Sequence, residues 1–445
     1  MKSKFKQTEI GMIPEDWEMV KIEEVLLPEK GSIKIGPFGS QLKKDFLVKE
    51  GIKVYGQENV YKNNFEIGDR YVTEERFELL KSCELKPGDL IISMMGTIGF
   101  VQIVPPNIKK GIMDSHLLRI RVDNKKMDND FLLYTFRSRV IQNQIDALSV
   151  GTIMAGLSSS VIKLLSFPLP LMSEQSAIAK ILSDLDSKIE LNQQMNKTLE
   201  QIGQAIFKRW FVDFEFPNEK GKPYKSSGGE MVESELGEIP KGWEVLKLED
   251  YVETVSGCSY TSAGLNESKN ALVTLKSVGV NGFREEGFKE YTGEYNDKHI
   301  VKEGDIVVAH TDLTQDRIIL GKPVIVRDFG RYKTMIASMD LSIIKPKKIL
   351  NTSYLFYLLS TYMFHGHAQG YANGTTVIHL SRKAIPEFKY VIPPVHILDD
   401  FNSIIKNVFN ELRNNDLQAR TLSQIRDSLL PRLMSGKLRV PVEAN

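Results

Sequence analysis

The chain repeats itself once, and that repeat limits the architecture more than any other feature of the sequence. Gly11-Met12-Ile13-Pro14-Glu15-Asp16-Trp17-Glu18 returns as Gly237-Glu238-Ile239-Pro240-Lys241-Gly242-Trp243-Glu244. Leu85-Lys86-Pro87-Gly88-Asp89-Leu90-Ile91 returns as Val301-Lys302-Glu303-Gly304-Asp305-Ile306-Val307. Val150-Gly151-Thr152 answers Asn373-Gly374-Thr375, and Gln201-Ile202 answers Gln424-Ile425. From Ser115 onward the offset holds at about 223 residues. That is far beyond the roughly 20–50 residues of a solenoid repeat, so the duplication is of whole domains.

Each half has the same internal order. A mixed segment of short apolar strand-like runs and helical stretches comes first, over residues 1–172 and 236–395. A long helix follows, over residues 173–213 and 396–434. Residues 214–235 between the halves contain Gly-Lys-Pro and Ser-Ser-Gly-Gly and read as a polar linker. Residues 435–445 form a C-terminal tail. The expected fold class is α+β: two α/β domains related by a pseudo-two-fold axis, joined by two long antiparallel helices in a coiled-coil spacer.

The helices carry one seam in one register. Ile178, Leu182, Leu185, Ile189, Asn192 and Leu199 fall on a seven-residue pattern. Adding the repeat offset gives Phe401, Ile405, Val408, Leu412, Asn415 and Leu422. The first helix leaves the first domain and the second leaves the second domain, so pairing requires them to run antiparallel. Equivalent residues meet on a dyad, which places Asn192 beside Asn415. At 1.5 Å per residue such a helix spans about 50–60 Å, which suits a two-part target. The competing reading is two amphipathic helices, each packed on its own domain.

Composition narrows the class. Charged residues make up 26% and the net charge is +1, less basic than expected of a solitary DNA binder, whose affinity comes largely from phosphate neutralisation. A DNA-binding chain of this charge relies on partner subunits or on local clusters of Lys and Arg. No apolar run reaches membrane-span length and the first residues do not resemble a signal peptide, so the expected location is cytoplasmic, away from membranes. Cys83 and Cys258 make neither a disulfide framework nor a zinc spacing. Gly221-Lys222, Gly321-Lys322 and Gly436-Lys437 lack the Ser or Thr of a phosphate loop. Pro105-Pro106 and Pro393-Pro394 lack the flanks of an amino-methyltransferase loop. His365-Gly366-His367 is a lone pair without convergent ligands, and Ser158-Ser159-Ser160 has no nearby His base. No catalytic or metal residue is assigned, and no cofactor is expected to bind this chain.

Further motifs stand along the chain: Gly36-Pro37-Phe38-Gly39-Ser40, Met95-Gly96-Thr97-Ile98-Gly99, and Pro168-Leu169-Pro170-Leu171 followed by Glu174-Gln175. They continue through Phe207-Lys208-Arg209-Trp210-Phe211-Val212-Asp213-Phe214, Thr311-Asp312-Leu313-Thr314-Gln315 and Leu430-Pro431-Arg432-Leu433-Met434-Ser435-Gly436-Lys437. On these motifs the chain resembles the specificity subunits of Type I restriction–modification systems. The resemblance covers essentially the whole chain. The second half departs from the pattern, with Val395-His396-Ile397 where the Glu-Gln pair would stand, so docking at that helix start is expected to differ. The resemblance implies two target-recognition domains reading double-stranded DNA at a bipartite, asymmetric site, with the helices as a ruler across the unread middle. It implies two modification (methyltransferase) subunits that use S-adenosylmethionine on adenine, and restriction (translocase and nuclease) subunits that use ATP and Mg. This chain would be their non-catalytic scaffold. The alternatives are the recognition subunit of a related combined restriction–methylation enzyme, and a scaffold that binds no DNA.

Base readout needs side chains with paired donors or acceptors on elements that reach a groove. In the first half the candidates are Ser40, Gln41, Gln57, Asn59, Thr97 and His116, with Lys34, Lys43 and Lys44 for phosphate. Gln57 and Asn59 suit adenine bidentately. In the second half they are Lys276, Ser277, His310, Thr311, Asp312, Thr314 and Gln315. Thr152, Thr375 and Thr376 occupy matched Gly-Thr turns suited to phosphate. The competing role for each is a turn or cap bonding its own backbone. Trp210, Phe211, Phe214 and Phe216 read as a packing seal rather than a base-stacking platform.

Overall fold

The computed structural model describes residues 4–95, 98–149, 158–279, 282–312, 317–347, 350–375 and 377–441. It divides into two compact units, residues 1–192 with 417–445, and residues 193–416.

In the first unit the strand Leu90–Ser93 is apolar at consecutive positions because both its faces are covered. It lies inside a four-stranded antiparallel sheet ordered 33–35, 117–120, 90–93, 101–103. Leu90, Ile92, Leu118 and Ile120 face one core, shared with Phe131, Phe136, Ile162 and Phe167. The alternate residues Ile91 and Leu117 face a second core. That core is closed by a three-stranded sheet in which Ile52–Tyr55 and Gly111–Met113 pair in parallel.

The second unit repeats this plan. Its four-stranded sheet runs 252–256, 341–346, 306–309, 323–325, and Asn270–Val273 pairs in parallel with Thr334–Ala337. Ile306, Val308 and Ile344 face one core, and Val307, Ala309 and Ile343 the other. Helix caps repeat as well. Asp128 accepts a hydrogen bond from the Phe131 amide, and Asn351, one repeat later, from Tyr354.

The long helices are Met172–Phe207 and Val395–Met434. The first, expected through 213, widens into a π-turn over Lys208–Val212. That turn delivers Trp210 and Phe211 into the core of the second unit beside Phe401 and Tyr354, so the packing-seal reading holds for them. Residues 214–235 are packed rather than loose. Phe216 is buried and stacks on Tyr224 and Trp243 at 4.6 and 5.0 Å, and Met231–Ser234 pairs with Gly237–Pro240. Phe216 and Tyr224 within the polar stretch, packed with Trp243 beyond it, supply the anchor that composition concealed.

Within each unit the helix segments run antiparallel. In the first, Asp186 pairs with Arg426 and Asn192 with Gln418. In the second, Asn196 pairs with Asn415 and Phe207 with Phe401. The sequence set Asn192 beside Asn415; within the first unit Asn192 instead bonds Gln418, and within the second Asn415 bonds Asn196. Ile178 and Leu182 are buried in the core of the first unit, Phe401, Ile405, Val408 and Leu412 in that of the second, where Leu199 packs on them. Each helix therefore begins as part of its own domain. Ile189, Asn192 and Asn415 are buried further along, while Leu185 and Leu422 are half-buried.

The Glu174-Gln175 pair is internal glue. Glu174 accepts from the Trp17 indole at 3.0 Å and from Arg439, and Gln175 bonds the backbone of Lys126, Asp128 and Pro170. At the matched positions Ile397 and Leu398 are buried core residues, so the missing pair in the second half replaces polar by apolar packing.

Candidate nucleic-acid interface

The antiparallel order brings four chain segments to one end of each main sheet. In the first unit Ile35, Leu117, Ser93 and Val101 end their strands on the same side. The segments beyond them begin with Gly36, His116, Met94 and Phe100. The Gly36 amide bonds the Leu117 carbonyl and the Met94 amide the His116 carbonyl. The second unit makes the same bonds with Gly257 to Leu341 and His310 to Asp340. Even the glycines correspond. A Cβ on Gly36 would stand 1.7 Å from the Asp114 carbonyl oxygen, and one on Gly257 2.1 Å from that of Ser338. Two backbones touch there, which only glycine permits.

The matched ends carry different side chains. In the first unit Gln57, at the start of the helix Gln57–Tyr61, reaches over to this end and donates to the Met95 carbonyl at 2.6 Å. Tyr61, one turn on, donates to the same oxygen at 3.2 Å and meets Phe100 edge-to-face at 5.2 Å. Met95, Phe100 and Tyr61 are 41%, 47% and 38% exposed, an apolar rim uncovered by the fold. Asp114 fixes the turn before the strand. It accepts from the His116 amide at 2.9 Å and pairs with Arg70 at 3.0 Å, which also holds Glu58 at 2.9 Å. His116 is exposed on this turn.

In the second unit the same end is polar. His310 bonds the Ser342 hydroxyl through Nδ1 at 3.1 Å and lines a small cleft with Thr254, Ser256 and Arg382. Burial, followed by the Arg382 charge, pushes the His310 pKa down, so the ring is held neutral. The Thr311 hydroxyl stands 3.4 Å from both Asp340 and His379.

Several sequence candidates thus gather here: Ser40 and Gln41 on the exposed loop after Gly36, Gln57, His116 and His310; Thr311 stands at the same end but is buried beneath the surface. Lys43 and Lys44 are exposed beside the short turn Lys44–Phe46. Lys276 is exposed in the turn Leu275–Ser277, and Thr375 is exposed in the turn at Gly374. Lys34 is half-buried in mid-strand opposite Arg119, away from the sheet end.

Three further candidates are turned inward. Asn59 is fully buried, accepting from the Gly56 amide and donating to the Asn64 and Ile67 carbonyls, so its amide is spent on its own loop. Ser277, at the matched place after the parallel strand of the second unit, is also fully buried. Asp312 is buried and accepts from the amides of Ile319 and Leu320. For Asn59 and Asp312, capping of local backbone outweighs groove contact; Ser277 is closed off by burial alone, its hydroxyl making no hydrogen bond among the described residues. Gln57 is also restricted, because its amide nitrogen is already engaged and bidentate adenine contact is unavailable. Thr97, Thr152, Thr314, Gln315 and Thr376 lie outside the described residues.

Sequence reasoning missed Tyr61, Met95, Phe100, Asp340 and His379. Asp340 is matched to His116 by the shared backbone hydrogen bonds, one position away from where the sequence offset places it. The aromatic rim had no signal, because exposure of an apolar side chain is decided by the tertiary fold.

Among the described residues no group of three His, Cys, Asp or Glu is arranged for a metal ion, and no helix is long and apolar enough to cross a membrane.

Comparison with known proteins places this geometry. Residues 14–201 and 240–425 each match the Type I restriction modification DNA specificity domain. The Type I restriction enzyme MjaIX specificity subunit of Methanocaldococcus jannaschii is 28% identical over 461 aligned residues, covering 98% of this chain and 97% of that protein. The MjaVIII specificity subunit of the same organism is 24% identical, covering 98% and 96%. A crystal structure of the Type-I restriction-modification system S subunit from M. genitalium superposes with a TM-score of 0.55 at 16% identity, covering 97% of this chain and 99% of that one, and supports the shared fold. With a duplicated domain, two long helices, and a matched but chemically divergent sheet end in each unit, the chain belongs to the family of Type I restriction–modification DNA specificity subunits.

Proposed function

We propose that the chain recognises DNA sequence for a Type I restriction–modification complex, each unit reading one half of a bipartite, asymmetric site. The observation that carries this is the pair of matched sheet ends. The backbone hydrogen bonds and close-packed glycines are the same in both, while the side chains are an amide and apolar rim in one and a His, Thr and Asp set in the other. A conserved frame with divergent contents is what two readers of unlike half-sites require. Gln41, Ser40, His116, Lys43 and Lys44 serve the first unit, and His310, Lys276 and Thr375 the second, with lysines and turn residues on phosphate and the rest on base edges.

The near-neutral charge fits a reader that gains phosphate contacts from its partners. Those partners are two modification subunits, carrying S-adenosylmethionine and methylating adenine, and restriction subunits using ATP and Mg. This chain supplies recognition and scaffolding in the cytoplasm. The helices serve as the spacer across the unread middle of the target, so inserting base pairs between the half-sites abolishes specific binding.

The test is a map of methylated adenines in cells expressing the complete complex. Exchanging residues 1–172 for another reading domain changes one half of the methylated motif and leaves the other intact. A change in both halves, or no sequence-specific methylation and no specific DNA retention by the complex, defeats the proposal.

A further inference from the structure

The orientation of one amide narrows what the first unit reads. Gln57 Nε2 lies 2.6 Å from the Met95 carbonyl oxygen and 3.5 Å from that of His116. Both neighbours are acceptors, so the end of the amide facing them must be the NH2 group. The nitrogen is thereby committed to the protein, and the group left for an incoming ligand is the Oε1 acceptor. The arrangement is braced. Tyr61 donates to the same Met95 oxygen, and Asp114, held by Arg70, fixes the turn that carries His116. Beside it stands the exposed Tyr61–Phe100 pair.

Resting on the DNA-reading function above, we propose that Gln57 is a specificity-determining residue that distinguishes amino from keto bases on one strand of its half-site. A pinned acceptor takes a hydrogen bond from adenine N6 or cytosine N4 and faces lone-pair repulsion from guanine O6 or thymine O4. These groups lie in the major groove, about 12 Å wide, which admits the helix end and its aromatic pair, whereas the minor groove of about 6 Å does not. The contact is a single bond and therefore selects A or C over G or T without choosing between A and C. Tyr61 and Phe100 form an apolar wall beside it that keeps water from substituting for the base.

The experiment expresses the full-length chain with its modification and restriction subunits and maps methylation for the wild type, Gln57→Met and Gln57→Ala. Gln57→Met keeps side-chain length and packing, and thermal melting of each purified variant confirms folding. The expected result is relaxation at one position of the half-site assigned to residues 1–172, from A or C to any base. Discrimination there falls about tenfold, while every other position and the other half-site stay as in the wild type. Three outcomes overturn the inference: an unchanged motif in folded variants, relaxation in the other half-site, or uniform loss of methylation at an unchanged melting temperature, which makes Gln57 an assembly residue. If the wild-type complex itself methylates without sequence preference, the fault lies with the parent reading and not with Gln57.

Discussion

Gly36 shows how much a single atom can decide at the candidate interface. Its missing Cβ allows the loop carrying Ser40 and Gln41 to lie against the Asp114 backbone, and a backbone oxygen cannot rotate away as a side chain can. Gly36→Ala should destabilise the first unit by roughly 1–3 kcal/mol, read as a lower urea midpoint. Gly257→Ala should do the same in the second. A midpoint within error of wild type for both would remove the close-contact argument. His310 provides a test by pH. Its folded pKa is lowered by burial and by Arg382, against about 6.5 for the unfolded ring. As pH falls through that value the unfolded chain takes up the proton first. The stability held by the neutral ring is therefore present at higher pH and lost toward acid. His310→Asn should reduce the fall in melting temperature between pH 7.5 and 5.5. It should not abolish it, because His299 is lowered by burial in the same way. An undiminished fall in the variant would exclude His310 as a contributor.

At the scale of elements, the polar residues in the helix seam matter most. Asn415 donates to Asn196 at 2.9 Å, and Asn196 donates in turn to Asp416 at 2.7 Å. Both asparagines are buried in the seam, where an unpaired amide is costly. Asn415→Ala should cost about 1–3 kcal/mol, since it leaves the Asn196 carbonyl without its donor. Replacing both Asn196 and Asn415 by Leu should recover that loss or exceed it, at the expense of a unique register. Equilibrium denaturation of the single and double variants measures both. A double variant less stable than either single one would show that the amides contribute more than register. The strands tell a similar story. Runs such as Leu90-Ile91-Ile92 and Ile306-Val307-Val308 are apolar at every position because each lies between two cores, and no alternation was there to be read.

For the molecule as a whole, the chain is threaded so that its C-terminal segment belongs with its N-terminal one. Leu433 and Met434 are buried with Trp17 in the first unit. Arg439 bonds Asp16 at 3.0 and 2.8 Å and also reaches Glu174 at 2.6 Å. Ending the chain at Met434 should strip the buried Glu174 carboxylate of its cation and cost on the order of 3 kcal/mol. Hydrogen exchange should then rise over residues 5–21 and stay unchanged in the second unit; equal exchange in both units would refute this. The sequence determined the duplication, the long helices and the family, because these are local periodicities and spacings carried by single stretches of chain. It also placed His116, Gln57, His310 and Thr311 among the candidates from side-chain chemistry. Only the tertiary structure decided that Asn59, Ser277 and Asp312 are buried and that the seam pairs Asn196 with Asn415. The same is true of the uncovered Tyr61–Phe100 rim and of the Gln57 amide, whose nitrogen is already taken. Exposure and hydrogen-bond partnership depend on residues distant in the chain, and a donor count written in sequence does not say which donors the fold has already used.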